Sequence, residues 1–192
     1  MWIQTHTGQQ IDFTSKDHKI VLDDIVHALS MCARFSGHTS RFYSVAEHSI
    51  AVAAMVPEEY KLEALLHDAS EAYTGDVSTP LKAAIGSAFT DIEESIERAI
   101  AKEFNLQYPW PKPVKTADHM ALWVEAEYLL STRPIERWHD RFFPEDSSSI
   151  PLSGKGSIMP KHLESIEDVQ REFKKQLEKE LSKRGWQASS KD

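Results

Sequence analysis

Four residues carry the donors a divalent cation needs: His48, the adjacent pair His67-Asp68, and Asp118. A His-Asp dipeptide alone is weak evidence. The chain holds a second one, His139-Asp140, without such company, and a single histidine is more often a surface or satisfied core residue than a ligand. The surroundings of the first pair differ. Leu62, Leu65 and Leu66 precede it, which places it on a helix with an apolar face. Glu71 follows His67 by four residues and Asp68 by three, so on a helix it projects from the same side as both. A half-buried cluster of imidazole and carboxylate is costly unless something positive neutralises it. Two imidazoles with two carboxylates suit Zn, Co, Mn, Ni or Fe better than Mg or Ca. Four protein ligands on a metal able to take six leave positions for water and substrate, and such a water loses its proton near neutral pH. Glu71, just outside the ligand set, is placed to orient or deprotonate that water; the alternative is a solvated helix carboxylate.

Three cations flank this set. Arg34 ends the first expected helix, Lys82 follows the loop of Asp76, and Lys115 lies three residues before Asp118 on the same helix face. Together they would bind a phosphate ester, Arg34 through its bidentate fork. Each alone is more commonly a solvated surface residue. Phe35 and His38 are candidates for stacking on, or hydrogen bonding to, a base or sugar; simple core packing is an equal alternative for Phe35.

These residues together resemble the HD-domain metal-dependent phosphohydrolases. The likeness is carried by Ala33-Arg34-Phe35, Tyr43-Ser44-Val45-Ala46-Glu47-His48, Ala64-Leu65-Leu66-His67-Asp68-Ala69-Ser70-Glu71-Ala72, Thr74-Gly75-Asp76 through Thr79-Pro80-Leu81-Lys82, and Val114-Lys115-Thr116-Ala117-Asp118. It covers roughly residues 2–130. The leading arginine, the glutamate after the His-Asp pair, the Gly-Asp loop and the Pro-Leu-Lys look like the small deoxynucleotide phosphohydrolases, the 5′-deoxynucleotidases and the short phage-type dATP triphosphohydrolases. The hairpin, Gly37-His38-Thr39 and the compact length are closer to the second type.

The resemblance implies that His48, His67, Asp68 and Asp118 ligate the metal and that Glu71 positions the attacking water. Arg34, Lys82 and Lys115 would hold phosphate oxygens. Asp76 would contact the sugar hydroxyl or assist proton delivery to the leaving oxygen. Phe35 stands where related enzymes often carry Trp, and with Ser36 and Gly37 beside it more room is left around the base. The implied reaction is attack of an activated water on the α-phosphorus of a 5′-nucleotide, releasing a deoxynucleoside with phosphate or triphosphate. Lys82 and Lys115 favour a triphosphate, which would bring additional Mg. Two other readings stand beside it: a phosphohydrolase of another ester, such as an alarmone or cyclic dinucleotide, and a non-catalytic metal-binding regulatory module. A cyclic dinucleotide has no terminal phosphate for the cations to grip, and degenerate modules commonly lose some of the residues that are intact here.

The elements that must position these side chains are mostly helices. Residues 2–6 and 9–13 read as a β-hairpin around Thr7-Gly8. Leu22, Ile25, Val26 and Leu29 predict a helix ending near Arg34. Ser44 and Glu47 form a capping box that opens a helix through His48 to about Val56. Pro57 opens the next, which is expected to run to about Tyr73 and stop at Gly75. Residues 81–85 suit a short helix. Thr90 and Glu93 read as a second capping box, before a stripe of Ile92, Ile96, Ala99, Ile100 and Phe104. A helix from Val114 to about Leu130 is expected to bury Ala117, Ala121, Val124 and Tyr128. Residues 144–160 read as a long surface loop. A last helix carries Ile166, Val169, Phe173, Leu177 and Leu181, and the tail 184–192 is expected to fray. The expected architecture is one all-α domain over residues 1–192, a helical bundle with a small N-terminal hairpin. The stripe on the last helix is a candidate homo-oligomer face, with core packing as the more common alternative.

Composition sets the outer bounds. Of 192 residues, 41% are hydrophobic and 27% charged, the balance of an ordinary globular protein. The one cysteine, Cys32, excludes an internal disulfide and a cysteine zinc cage. Lys+Arg 22 against Asp+Glu 30 gives a net charge of −8, which disfavours a duplex-DNA binder but leaves room for local cations around a small anion. No signal peptide or membrane-spanning run is evident, so the expected setting is cytoplasmic, with a nucleotide as partner and no membrane.

Overall fold

In the computed structural model, residues 2–131 and 163–186 are described. The fold is mostly helical and opens with a two-stranded antiparallel hairpin. Strands β1 (Trp2–Gln4) and β2 (Gln10–Asp12) pair with Ile3 opposite Ile11. Ile11 is fully buried while Trp2 is exposed, so only one face of the ribbon joins the core. Helix α1 (Leu22–Met31) fastens the hairpin: the Asp24 carboxylate accepts from the Thr7 backbone N–H at 2.6 Å and from its hydroxyl at 2.9 Å.

Helix α1 stops at Met31, earlier than the expected end near Arg34. The reason is a competing backbone pairing. Ala33 bridges Ser44, the Arg34 N–H donates to the Tyr43 carbonyl, and the Val45 N–H donates to the Cys32 carbonyl. Arg34 therefore sits on the tight turn Arg34–Gly37 that follows.

Helix α2 (Val45–Met55) starts as its sequence dictates. The Ser44 hydroxyl accepts from the Glu47 N–H, and the Glu47 carboxylate accepts from the Ser44 N–H. Every residue from Val45 to Ala53 is buried, so α2 is the central helix of the bundle. The expected continuous helix to Tyr73 is instead broken into α3 (Lys61–Leu66) and α4 (Glu71–Thr74). Between them the N–H groups of Ala69, Glu71 and Ala72 donate three residues back, which tightens the chain around His67 and Asp68. Gly75 at φ 78° ends α4 as expected.

Helix α5 (Thr79–Ile85), with Pro80 in its first turn, leads through Gly86 directly into α6 (Ser87–Glu103). Thr90 is therefore inside α6, its hydroxyl donating to the Gly86 carbonyl, and the second capping box does not form. The stripe itself holds: Ile96, Ile100 and Phe104 are buried. Helix α7 (Lys112–Leu129) buries Ala117, Ala121 and Val124, but Tyr128 is 48% exposed, contrary to expectation, because the buried face passes instead through Glu125, Ala126 and Leu129.

Helix α8 (Ile166–Lys183) presses Val169, Phe173, Leu177 and Leu181 against α1, α2 and α3. The stripe considered for oligomer formation is thus core. Residues 184–186 do not fray: the Arg184 guanidinium grips Glu63, and the Trp186 ring lies 5.5 Å from that of Phe104. The expected loop at 144–160, the pair His139-Asp140 and residues 187–192 lie outside the described residues. Among those described, no helix is long and apolar enough to cross a membrane.

Candidate metal centre and its cavity

Three elements bring the ligand set together. His48 comes from α2, in a register fixed by the Ser44 cap. His67 and Asp68 come from the turn between α3 and α4, and Asp118 from α7. Neighbours in a helical turn point about 100° apart, so His67 and Asp68 reach the same point from adjacent directions, with Nε2 and Oδ2 3.3 Å apart.

The imidazole Nε2 atoms of His48 and His67 lie 3.2 Å apart. Asp68 Oδ2 is 3.4 Å from the first and 3.3 Å from the second, and Asp118 Oδ1 is 3.1 and 3.7 Å from them. One donor atom from each of the four residues falls within 4.8 Å of all the others. Donors about 2.0–2.2 Å from a shared transition metal would have such spacings.

The far side of each ring assigns its tautomer. His67 Nδ1 lies 2.8 Å from the Ala64 carbonyl, and His48 Nδ1 lies 2.7 Å from Glu125 Oε1. Both Nδ1 atoms therefore donate, so in the neutral rings two Nε2 lone pairs face each other. Such an arrangement calls for positive charge between them. Without a cation, protons would serve. Burial opposes charging of His67, yet Asp68 and Asp118 raise its pKa well above the ordinary value. Burial and Arg34 oppose charging of His48, and Glu125 with Asp118 outweighs them. Burial would raise Asp118, but its hydrogen bonds to His48 and His67 drive it well below the usual carboxylate range. The donor set and its electrostatics fit a divalent cation held by these four residues.

Glu125, absent from the sequence expectations, organises the layer behind. It is 1% exposed on α7. Its Oε1 receives both His48 Nδ1 and the Tyr43 hydroxyl, the latter at 2.9 Å, and its Oε2 lies 3.3 Å from Arg34 Nε. That last contact is an ion pair without hydrogen-bond alignment. Arg34 Nη1 reaches Asp68 Oδ2 at 3.4 Å. The buried guanidinium thus lies between one of the four candidate donors and the carboxylate that orients another. The sequence did contain a signal for Glu125: Asp118, Leu122 and Glu125 follow the four-then-three spacing of one helix face. Tyr43 offered none beyond its place before the cap.

A cavity of about 860 Å³ opens in front of the cluster. Asp68, Glu71 and Asp118 form its metal-side wall, and Arg34 and Lys82 supply positive charge. Phe35, His38 and Asp76 line the same space, while Val77, Pro80, Leu122 and Leu130 give it apolar surface. Glu71 is buried with Oε2 lacking a hydrogen-bond partner. Burial, together with Asp68 and Asp76, pushes its pKa well above the carboxylate range despite Arg34 and Lys82.

Two expectations change here. Lys115 is exposed and is not on the cavity wall. The cavity extends along α7 from Asp118 towards His119 and Leu122, whereas Lys115 lies on the other side of Asp118. His119, next to Asp118, lines the cavity as well. Lys82 is on the wall but not free, since its ammonium pairs with Glu93 and lies 5.5 Å from the Phe89 ring centroid.

The Arg34–Gly37 turn is unusual. Phe35, Ser36 and Gly37 have φ of 54°, 51° and 77°. Left-handed backbone costs about 1–2 kcal/mol for each residue bearing a Cβ, so the first two need holding in place. The Phe35 N–H donates to Asp76 Oδ2 at 3.1 Å, and the Arg34 guanidinium lies 5.6 Å from the Phe35 ring centroid.

Comparison with known proteins returns no matching family model. The chain is, however, 40% identical over 130 residues to the uncharacterized protein YfdR of Escherichia coli, an alignment spanning 67% of this chain and 72% of that protein. It is 35% identical over 158 residues to the uncharacterized protein RCAP_rcc00048 of Rhodobacter capsulatus, spanning 74% and 79%. The chain belongs to the family of these two proteins. Neither protein's name states a chemistry, so for this family the site geometry is the guide to function.

Proposed function

We propose that the chain is a metal-dependent phosphohydrolase of the HD type, hydrolysing the 5′-phosphate ester of a deoxynucleotide at its α-phosphorus. The observation that carries this reading is the pair of facing Nε2 atoms, 3.2 Å apart, with both Nδ1 atoms committed to oxygen acceptors and two carboxylates alongside. A cation held by His48, His67, Asp68 and Asp118 would supply Lewis acidity and lower the pKa of water.

The remaining steps belong to the chain. Glu71 has a buried, unpartnered carboxylate oxygen, and burial with Asp68 and Asp76 raises its pKa, which strengthens it as a base; it takes the proton of the attacking water and passes it to the leaving 5′-oxygen. Arg34 is held through Nε by Glu125 and through Nη1 by Asp68, leaving Nη2 for a phosphate oxygen. Its fixed charge offsets negative charge developing on the phosphorus centre. Phe35 and the apolar wall receive the base, and a cavity of about 860 Å³ is of the size that encloses a small ligand.

The preference for a triphosphate rested on Lys82 and Lys115. With Lys115 off the wall and Lys82 paired to Glu93, the described residues support a monophosphate better. A non-catalytic metal module would have no use for the unpartnered acid of Glu71.

The test is product analysis by chromatography after incubating each dNMP and dNTP with Mn, Co and Zn in turn, with Mg added for the triphosphates. Deoxynucleoside plus phosphate is expected from a dNMP, and deoxynucleoside plus triphosphate from any dNTP accepted. No turnover with any metal would falsify the reading.

A further inference from the structure

We propose that Asp76 is a positioning residue: its carboxylate pins the left-handed turn at residues 35–37 and thereby sets the aromatic wall that selects the base. The inference rests on the nucleotide reading above and goes beyond it, because Asp76 then acts through Phe35 rather than on the reacting atoms.

Two successive residues with a Cβ at positive φ, followed by Gly37, form a conformation that relaxes unless its surroundings over-determine it. The turn is fixed at its entry by the Arg34 N–H on the Tyr43 carbonyl and closed by the His38 N–H on the Phe35 carbonyl. Within it, the Phe35 N–H crosses to Asp76 Oδ2 at 3.1 Å. That bond is charge-assisted, and it joins two segments that line the cavity. Phe35, Ser36 and His38 of the turn and Asp76, Val77 and Ser78 of the loop after α4 all line it. A shift of Phe35 would also disturb Arg34, which lies over its ring.

The experiment compares Asp76→Ala with Asp76→Asn. Asparagine keeps a carbonyl oxygen for the Phe35 N–H but has no acidic proton to give. The two substrates are a 2′-deoxynucleoside 5′-monophosphate and 2-deoxyribose 5-phosphate, which share the leaving oxygen and differ by the base. In Asp76→Ala the ratio of kcat/KM for nucleotide over sugar phosphate falls by about tenfold, the weight of one charge-assisted hydrogen bond, mainly through the nucleotide KM. In Asp76→Asn, which keeps the bond without its charge, the ratio falls by no more than about threefold. Amide exchange at Phe35, read by NMR, accelerates by about tenfold in Asp76→Ala only. Equal losses on both substrates, an Asn variant as impaired as the Ala variant, or unchanged Phe35 exchange in Asp76→Ala would each overturn the proposal. A wild-type protein inactive on every nucleotide overturns the phosphohydrolase reading alone, and Phe35 exchange still decides whether Asp76 holds the turn.

Discussion

Glu125 Oε1 lies 2.7 Å from Nδ1 of His48, with both residues sealed from solvent. This bond fixes the ring so that Nε2 points at Asp118, and a carboxylate behind an imidazole raises its strength as a ligand. Replacing Glu125 by Gln keeps an acceptor but removes the charge, and should weaken metal binding by about tenfold, within the range seen for such outer partners. Glu125→Ala should weaken it further and also destabilise the fold by about 3–5 kcal/mol, because Arg34 would lose a buried counter-charge. Competition with a chromophoric chelator reads the affinity. Unchanged binding in Glu125→Gln would show that the charge contributes nothing to His48.

Asp68 is the candidate ligand with the widest reach, its Oδ2 lying within 3.4 Å of both imidazoles and of Arg34. Asp68→Ala should abolish metal content and nucleotide hydrolysis together. Metal analysis alongside turnover checks this, and full activity with the site emptied would end the proposed mechanism.

What could be read from the sequence was whatever depended on local spacing. Ser44 and Glu47 need only each other to cap α2, and the donor types at His48, His67, Asp68 and Asp118 pointed to a possible cation site without a fold. The break between α3 and α4 was not readable. Residues 67–70 include neither Gly nor Pro, and tertiary packing rather than local preference turns the chain there. The same limit explains Lys115. Helical spacing places it near Asp118, but the direction in which the cavity opens depends on how α7 packs against α2. The left-handed Phe35 was hidden too, since its fastening comes from a carboxylate far along the chain.

Arg34 and Lys115 should now separate in kinetics. Arg34→Lys keeps a charge but loses the planar fork, and should raise the nucleotide KM by about tenfold. Lys115→Ala should change KM by less. Steady-state measurements on both variants decide it, and the reverse order would mean that the phosphate lies on the Lys115 side of Asp118.

Glu63 and Arg184 form a two-pronged pair at 2.6 and 2.8 Å that ties the end of α8 to α3. Burial would raise the Glu63 pKa, but Arg184 and the Gln107 N–H pull it below its ordinary value of 4.5. Its contribution is therefore present above that ordinary value and fades as pH falls through the lowered one. Glu63→Gln should cost about 1–3 kcal/mol at neutral pH. The gap between wild type and variant in denaturant unfolding should shrink in acid. A gap of constant size would show that the charge of Glu63 is not what stabilises this corner.

Metal binding itself should depend on pH in a direction the site dictates. In the metal-free protein His67 is held well above 6.5 and His48 is raised as well. Their charged forms contribute stability below that ordinary value, and the contribution is lost as pH rises through the raised ones. A cation needs the same Nε2 lone pairs, so it must displace those protons. Affinity should climb as pH rises through the raised values, with protons released on binding, as measured by calorimetry in buffers of different ionisation enthalpy. At a metal concentration about 100 times Kd the gain in stability should be about 2.7 kcal/mol. For a chain of this length that is a rise of about 5–10 °C in Tm. Binding without proton release would mean that the facing lone pairs are already bare and that both imidazoles are neutral in the empty site.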